Sequence, residues 1–198
     1  MTDLFQEPED ATPLEAEERE QLRQSWITNR GDLNIAEEEN IIAGAAWARG
    51  RRSRDPAGML TADFVIMLHK RMFGDVWKWA GTYRTTARNV GVDAYRIGPD
   101  VAQLLSDVSY WVGNGTYPPD EIAVRFHHRL VAIHPFPNGN GRHSRLMADL
   151  LIERLGGISF TWGGGRLADT SELRRRYIVA LRAADNHDMG PLLAFARS

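Results

Sequence analysis

The chain has 198 residues, of which 43% are apolar and 25% charged, a composition typical of one globular domain with a buried core. It contains no cysteine, which excludes a disulfide framework, a zinc ribbon and a thiol nucleophile. No apolar run approaches the roughly 18 residues that cross a bilayer, and the acidic N-terminus is unlike a secretory signal. We therefore expect a cytoplasmic protein without membrane contact.

The net charge of −2 is distributed unevenly along the chain. Residues 1–20 carry a net charge of −7, which leaves +5 for the remainder. We expect residues 1–12 to be a disordered acidic tail. The mildly basic remainder is compatible with an anionic ligand. It has no stripe of alternating basic and aromatic side chains, so direct nucleic-acid binding is not expected.

Helical periodicity dominates two further regions. Residues 13–59 are expected to form N-terminal helices, a candidate regulatory arm. In the second of these helices, over residues 34–50, the spacing predicts a buried face made of Ile35, Ile42, Ala46 and Trp47. Residues 60–198 are expected to form the core together with C-terminal helices.

Apolar residues in this core recur at helical spacing, which predicts four buried helix faces. In chain order they are made of Val101, Leu104, Leu105, Val108, Trp111 and Val112, of Ile122, Phe126, Leu130 and Ile133, of Leu146, Leu150, Leu151 and Leu155, and of Leu173, Tyr177, Leu181 and Ala184.

Residues 82–97 have a different pattern. The stretch alternates imperfectly around Asn89 and Gly91, which predicts a short β-hairpin. A single hairpin in a helical chain either lies at the edge of the fold without a function of its own or forms a functional flap. The sequence therefore predicts a mostly α-helical single domain with one β-hairpin.

A turn rich in proline and glycine separates two predicted helices. Pro135 and Pro137 end the first helix and stiffen the connection. Gly139 and Gly141, on either side of Asn140, allow a backbone turn that gathers N–H groups at the start of the next helix. Such a helix start favours an anion such as phosphate.

Three ionisable residues flank this turn. Arg142 and Arg145 are three residues apart, so they share one helical face and can bind the outer phosphates of a nucleotide. His134, at the other end, can accept a proton from a hydroxyl near neutral pH. Each residue alone is explained by an ordinary turn, a surface charge or a helix cap. Their grouping within twelve positions favours a nucleotide site.

The same twelve residues resemble the signature of the Fic family, H-P-F-x-[D/E]-G-N-G-R-x-x-R. The segment from Trp79 to Arg84 is also similar to the start of the family's flap, and the likeness covers about residues 60–185. Within the family, the chain resembles the subgroup called mobile mystery protein B. The fixed signature positions that agree are His134, Pro135, Phe136, Gly139, Asn140, Gly141, Arg142 and Arg145.

The resemblance implies a helical Fic core with a flap, and transfer of AMP from ATP to a protein hydroxyl with release of pyrophosphate. It implies that His134 is the general base, and that the target protein pairs its backbone with the flap, from about Thr86 to Tyr95, as an added strand. The nucleotide-binding residues that it implies are Asn138, Gly139, Asn140, Gly141, Arg142 and Arg145.

One position departs from the signature. Asn138 stands where the family has the acidic residue that holds Mg²⁺ (or Mn²⁺) against the phosphates. An amide oxygen can ligate Mg²⁺ but brings no charge, and hard cations prefer carboxylates. At an effective dielectric constant of about 20, one formal charge a few ångströms away is worth several kcal/mol. We therefore expect weak metal binding at Asn138 and low but real activity.

A candidate inhibitory residue lies in the N-terminal region. Many members of the family block their own nucleotide site with a helix that carries [S/T]-x-x-x-E-[G/N]. Glu39 and Asn40 fit the last two positions, whereas Ile35 does not fit the first. The alternative, which the mismatch at Ile35 favours, is that Glu39 belongs to a solvated acidic turn.

The remaining histidines give no metal site. His127 and His128 are adjacent, so they cannot form the i, i+4 pair of a helical metal site. His143 occupies a variable position of the signature, and we expect it to be exposed. No structural metal is therefore assigned.

Three functions stay open from the sequence. The first is a protein adenylyltransferase, and the second is another Fic-type phosphoryl or nucleotidyl transfer with the nucleotide reversed in the site. The third is a catalytically weak nucleotide-binding module of a mobile-element or toxin–antitoxin-like system, for which Asn138 argues. The subgroup resemblance also implies a companion helix-turn-helix regulatory protein.

Overall fold

The computed structural model describes residues 16–51, 55–87, 90–164 and 170–198. These residues form two compact units, one within residues 1–51 and 66–82 and one within residues 52–65 and 83–198. The mostly helical class predicted from the sequence is confirmed. The predicted acidic tail lies outside the described residues. None of the described helices is long and apolar enough to cross a membrane.

The first unit is built from helices α1 (Ala16–Gln21) and α2 (Arg30–Arg49) and from the larger part of α3 (Ala62–Phe73). Asn29 caps the start of α2, because its side chain accepts the Asp32 N–H. This cap explains why the helix begins several residues before the predicted start.

The predicted buried face of α2 is wrong. Ile35 and Ile42 are 57% and 62% exposed, Ala46 is exposed and Trp47 is half-buried. Of the six residues that α2 does bury, five are small or polar and one, Leu33, is large and apolar: Leu33, Ala36, Glu37, Asn40, Gly44 and Ala48.

Hydrogen bonds explain why polar residues lie on that face. The carboxylate of Glu37 accepts the indole N–H of Trp77 at 2.6 Å. The side chain of Asn40 donates to the Arg71 carbonyl at 3.0 Å and accepts the Asp75 N–H at 2.9 Å. A buried polar group that is hydrogen-bonded avoids the cost of desolvation, so the apolar spacing alone pointed to the wrong side of the helix.

The second unit contains five helices among its described residues, and α5 packs against α4, α6 and α8, while α7 packs against α8. Pro119 lies in the first turn of α5, where the missing N–H of proline costs nothing. The helices are α4 (Ile97–Asn114), α5 (Pro119–Ile133), α6 (Asn140–Arg154), α7 (Thr170–Asp185) and α8 (Gly190–Ala196).

The apolar faces predicted for α4, α5 and α6 are buried, except that Trp111, Val112 and Leu155 are half-buried. Burying each large side chain contributes roughly 1.5–3 kcal/mol, so these faces supply the core that holds the turn between α5 and α6. The buried residues include Val101, Leu104, Leu105, Val108, Ile122, Phe126, Leu130, Ile133, Leu146, Leu150 and Leu151.

The predicted β-hairpin at residues 82–97 is not seen. Its described residues, 82–87 and 90–97, contain no strand, and the last of them form a 3-10 turn (Ala94–Arg96) and the start of α4. The Arg84 N–H donates to the Pro135 carbonyl at 2.9 Å and the Val92 N–H to the Ile133 carbonyl at 3.3 Å. The backbone of this segment thus forms hydrogen bonds with the turn after α5, whereas the two strands of a hairpin would form hydrogen bonds with each other.

Candidate active site

The turn between α5 and α6 begins at His134. This residue caps the end of α5 in the left-handed conformation, with φ 55° and ψ 60°, and its N–H donates to the Leu130 carbonyl at 3.2 Å. A non-glycine residue rarely adopts this conformation. Here it ends the helix and turns the chain towards α6.

Asn140 and Phe136 fix the middle of the turn. The Asn140 side chain accepts the Phe136 N–H at 2.9 Å and donates to the Phe136 carbonyl at 2.8 Å. The Phe136 ring is fully buried, 5.5 Å from the ring of Tyr83 and 5.2 Å from that of His143. Because its side chain is engaged in this way, Asn140 shapes the turn, and its backbone N–H is the group it can offer to a ligand.

The start of α6 has free space beside Gly141. Gly139 caps the helix with φ 77°, and its N–H donates to the side-chain oxygen of the exposed Asn138 at 2.7 Å. A Cβ at Gly141 would meet no atom closer than Arg145 Nη1 at 3.8 Å. Packing therefore does not require glycine at 141, and the missing side chain leaves room beside the helix start. First-turn N–H groups have no carbonyl partner within a helix, so they point to this space.

A cavity of about 1150 Å³ lies beside the turn, large enough for a nucleotide. Seven of the eight candidate site residues line the cavity: His134, Asn138, Gly139, Asn140, Gly141, Arg142 and Arg145. The eighth, Glu39, is exposed on α2, and its inhibitory role stays a prediction.

Helix α7 supplies a wall of the cavity that the sequence analysis did not assign to the site. The spacing of Leu173, Tyr177 and Leu181 had indicated an ordinary core face. These side chains are half-buried and line the cavity. A tyrosine in the middle of an apolar face was the signal for a partly polar wall. Other cavity residues that were not foreseen are Val131, Trp162, Arg174, Ile178, Asp185 and Phe195.

Tyr177 links Arg145 to a buried histidine. Its hydroxyl lies 3.0 Å from His127 Nε2, and the Arg145 guanidinium lies 5.5 Å from the centre of its ring. Burial, together with the charge of Arg145, lowers the pKa of His127 to about 3. Burial raises the pKa of Tyr177, although the charge and hydrogen bond of Arg145 act in the opposite direction. The His127 imidazole is therefore neutral and shares one hydrogen bond with the Tyr177 hydroxyl, while Arg145 donates a hydrogen bond to the tyrosine oxygen.

The prediction that His143 is exposed is wrong. Its side chain is 1% exposed, and Nε2 lies 3.0 Å from the Val65 carbonyl. Burial lowers the pKa of His143 to about 4, so the ring is neutral and donates this hydrogen bond. A variable position in a signature therefore still belongs to the core of the protein.

The donors around the cavity fit a divalent cation poorly. The described lining residues include one carboxylate, that of Asp185, and it lies 2.8 Å from His128 Nε2. The Asn138 oxygen is neutral and already accepts the Gly139 N–H. No group of three or more acidic or histidine side chains in the described residues could hold a metal ion. Positive charge at the cavity comes from the guanidinium groups of Arg142, Arg145 and Arg174, which suit an anionic ligand.

Comparison with known proteins agrees with this geometry. A family model described as Fic/DOC family matches residues 59–152. Protein adenylyltransferase fic-1 of Caenorhabditis elegans is 30% identical over 141 residues, which are 69% of this chain and 26% of that protein. The chain thus spans about a quarter of the length of the curated relatives that it matches.

Solved structures share the fold. A Fic-1 structure from Caenorhabditis elegans is 25% identical, with a TM-score of 0.57, and the match covers 81% of this chain and 48% of that one. BepC from Bartonella tribocorum, solved with bound AMPPNP, is 17% identical with a TM-score of 0.64, and the match covers 92% and 97%. The second likeness concerns the fold alone. Sequence, site geometry and fold lead to one conclusion: residues 59–152 form a Fic/DOC family domain.

Proposed function

We propose that this chain is a protein adenylyltransferase, which transfers AMP from ATP to the hydroxyl of a Ser, Thr or Tyr side chain on a target protein. One observation carries the proposal: a histidine, a glycine turn at a helix start and two arginines line a single cavity. The proposal is supported by relatives named protein adenylyltransferase.

The nucleotide phosphates are proposed to lie at the start of α6. The backbone N–H groups of Asn140 and Gly141 and the positive end of the helix dipole favour the α- and β-phosphates there. The Gly139 N–H joins them only if a phosphate displaces the Asn138 oxygen that it bonds to in this structure. Arg142 and Arg145 then bind the outer phosphates through charge-assisted hydrogen bonds. Tyr177 and His127 support Arg145 from the other side.

His134 is proposed as the general base. It removes the proton from the target hydroxyl while the hydroxyl oxygen attacks the α-phosphorus of ATP. The new O–P bond forms as the bond between the α-phosphorus and the bridging oxygen breaks, and the electron pair leaves with pyrophosphate. The arginines stabilise the charge that builds up on this leaving group.

The target is proposed to dock beside His134. The described residues of the flap predicted from Thr86 to Tyr95 form no strand, and Tyr95 belongs to a 3-10 turn, so we place an added strand of the target on residues 85–87 and 90–92. Thr85, Thr86 and Ala87 are exposed and Val90 is 58% exposed, which supports a docking surface there.

Labelled ATP tests the reaction. The protein is incubated with cell lysate and with ATP labelled on either the α- or the γ-phosphate. His134→Asn removes the base, and asparagine tolerates the left-handed backbone at this position. His187→Asn is the matched control, because His187 is an exposed histidine with a left-handed φ of 67°. We expect label from the α-position only, lost in His134→Asn and kept in His187→Asn.

Two other results would overturn adenylylation. Label from the γ-position would show phosphorylation, with the nucleotide reversed in the site. No label together with intact ATP binding would show a nucleotide-binding module. The module is the second candidate function, since the neutral Asn138 oxygen is engaged with Gly139 and gives a divalent cation little to bind.

Asn138→Asp tests the metal. Mg²⁺ or Mn²⁺ is the proposed cofactor, although the donors present bind it weakly. A carboxylate at 138 is expected to raise the transfer rate at low Mg²⁺ by about ten-fold or more, because one formal charge contributes several kcal/mol to cation binding before screening. Turnover is measured across a titration of Mg²⁺ and of Mn²⁺, with Asn186→Asp, at an exposed position, as control. An equal or lower rate in Asn138→Asp would contradict weak metal binding as the limiting step.

The subgroup, the companion protein and the location are further proposals. The likeness to mobile mystery protein B supports a helix-turn-helix regulatory partner and a cytoplasmic setting. Co-expression with a candidate helix-turn-helix protein and copurification would test the partnership.

A further inference from the structure

The three carbonyl groups around His134 are all held by one neighbouring segment. The Ile133 carbonyl accepts the Val92 N–H at 3.3 Å, and the Pro135 carbonyl accepts the Arg84 N–H at 2.9 Å. Between them, the His134 carbonyl accepts a hydrogen bond from Arg84 Nε at 2.7 Å. Arg84 and Val92 therefore fix the backbone of His134 from both sides.

The guanidinium of Arg84 extends this network along its own segment. Nη1 donates to the Thr86 carbonyl at 2.9 Å, and Nη2 donates to the carbonyls of Val92 and, at 3.5 Å, Ile133. Arg84 is 3% exposed, so this charge is compensated by carbonyl oxygens within the protein. A planar fork with five N–H donors can bridge acceptors spread in this way, whereas a lysine ammonium is a compact point charge.

Gly91 makes a close approach to the same turn. A Cβ at this position would lie 2.6 Å from His134 Cβ, 2.8 Å from Arg84 Nη2 and 3.0 Å from the Ile133 carbonyl oxygen. Its φ of +95° also favours glycine. A side chain at position 91 must therefore displace His134 or Arg84.

We propose that Arg84 is a positioning residue that locks the turn carrying His134 to residues 85–87 and 90–92. This rests on the proposed function, in which His134 is the base and that segment docks the target. The lock places the base and the target backbone in one fixed relation. It also supports the left-handed conformation of His134, which costs free energy unless its surroundings enforce it.

The lock acts on transfer and leaves nucleotide affinity unchanged. The described contacts of the Arg84 side chain go to the carbonyls of residues 86, 92, 133 and 134, and the phosphates are proposed to bind at residues 139–145. Loosening the lock therefore misplaces the base relative to the target hydroxyl while the phosphate site stays formed.

Two variants and two matched controls test the proposal. Arg84→Lys keeps the charge and loses the fork, and Gly91→Ala disturbs the lock without changing Arg84. Arg96→Lys is the control for the first, because Arg96 is exposed and pairs with Asp100 at 3.1 Å. Gly98→Ala is the control for the second, because a Cβ there meets no atom within 4 Å.

Three quantities are measured on each variant: the ATP dissociation constant by calorimetry, the single-turnover rate of AMP transfer at saturating ATP, and hydrogen exchange of the Val92 amide. In both test variants we expect the transfer rate to fall by about 100-fold, as for a misplaced catalytic group. We expect faster exchange at Val92, whose N–H bonds to Ile133. ATP affinity is unchanged, and both controls behave as wild type.

Two results would overturn the lock: a wild-type transfer rate in folded Gly91→Ala, or ATP affinity that falls in parallel with the rate. If Arg84→Lys does not fold, Gly91→Ala decides alone. If the wild-type protein transfers no label, the proposed function fails, and the lock is still tested by Val92 exchange and by the NMR shifts of the His134 imidazole. Changes in these signals in Gly91→Ala but not in Gly98→Ala support the lock, and their absence overturns it.

Discussion

Helices α2 and α5 bury their inner faces by different means. α5 buries large apolar side chains, among them Phe126 and Leu130, at 0% and 1% exposure. α2 buries Glu37 and Asn40, which are hydrogen-bonded, and Gly44, which lies against the backbone of α3. One face is held by apolar volume, and the other by directed hydrogen bonds and close approach.

Because of this difference, the two faces should be sensitive to different kinds of substitution. An apolar face loses stability in proportion to the volume that a substitution removes, because the cavity left behind is only partly refilled. A close-packed polar face loses stability when an atom is added, because the backbone has no room to move, or when one hydrogen-bond partner is removed. A substitution that removes a large side chain should therefore destabilise the face of α5, and one that adds an atom should destabilise the face of α2.

The largest effect is expected at the apolar face. Phe126→Ala should lower the free energy of unfolding by about 3–5 kcal/mol, because it removes a fully buried ring from α5. Ile42→Ala on α2 is the control, and its effect should stay within about 0.5 kcal/mol because that side chain is 62% exposed. Urea unfolding followed by circular dichroism measures both. A large loss of unfolding free energy in Ile42→Ala would show that α2 buries the face predicted from the sequence.

A smaller loss is expected where an atom is added to α2. The Cβ of Gly44→Ala would lie 2.9 Å from backbone atoms of Arg71 and Met72, so we expect a loss of about 2 kcal/mol. Gly113→Ala, in α4, is the matched control, since a Cβ there meets no atom within 4 Å. Its better helix propensity should stabilise the protein by up to about 1 kcal/mol. Equal melting temperatures for the two variants would contradict the close approach at Gly44.

The same contrast explains which parts of the fold could be predicted. The faces of α4, α5 and α6 follow apolar periodicity, which is a local property of the sequence, so most of their buried residues could be predicted. The face of α2 depends on Trp77 and Arg71, which lie about 30 to 40 residues away in the chain. The hairpin was wrong for a similar reason, since Arg84 and Val92 bond to residues 133–135.

The part of the candidate site that is contiguous in the sequence could be predicted from it. The residues from His134 to Arg145 lie on one turn and one helix start, so their spacing alone indicates a cavity-lining group. Tyr177 and Asp185 reach the same cavity from α7, and only the packing of that helix places them there. An inhibitory role for Glu39 needs a residue of the first unit to act on a site in the second, and it stays a prediction.

The last effect is the smallest when it is measured over a single pH unit, and it concerns the buried histidines of the α5–α6 region. Burial lowers the pKa of His143 from 6.5 to about 4, so the unfolded chain binds a proton more readily than the folded one between these values. The stabilisation from the neutral His143 is therefore fully present above about pH 6.5 and falls as the pH decreases towards 4, by on the order of 1 kcal/mol per pH unit for this one group.

His143→Gln keeps a donor for the Val65 carbonyl but cannot be protonated. It should therefore reduce the slope of unfolding free energy against pH by the contribution of one proton. Urea titrations at several pH values measure that slope, and His187→Gln, at an exposed position, should leave it unchanged. An unaltered slope in His143→Gln would mean that the buried ring does not resist protonation, and that the acid sensitivity of this region arises elsewhere, with His127 the next group to replace.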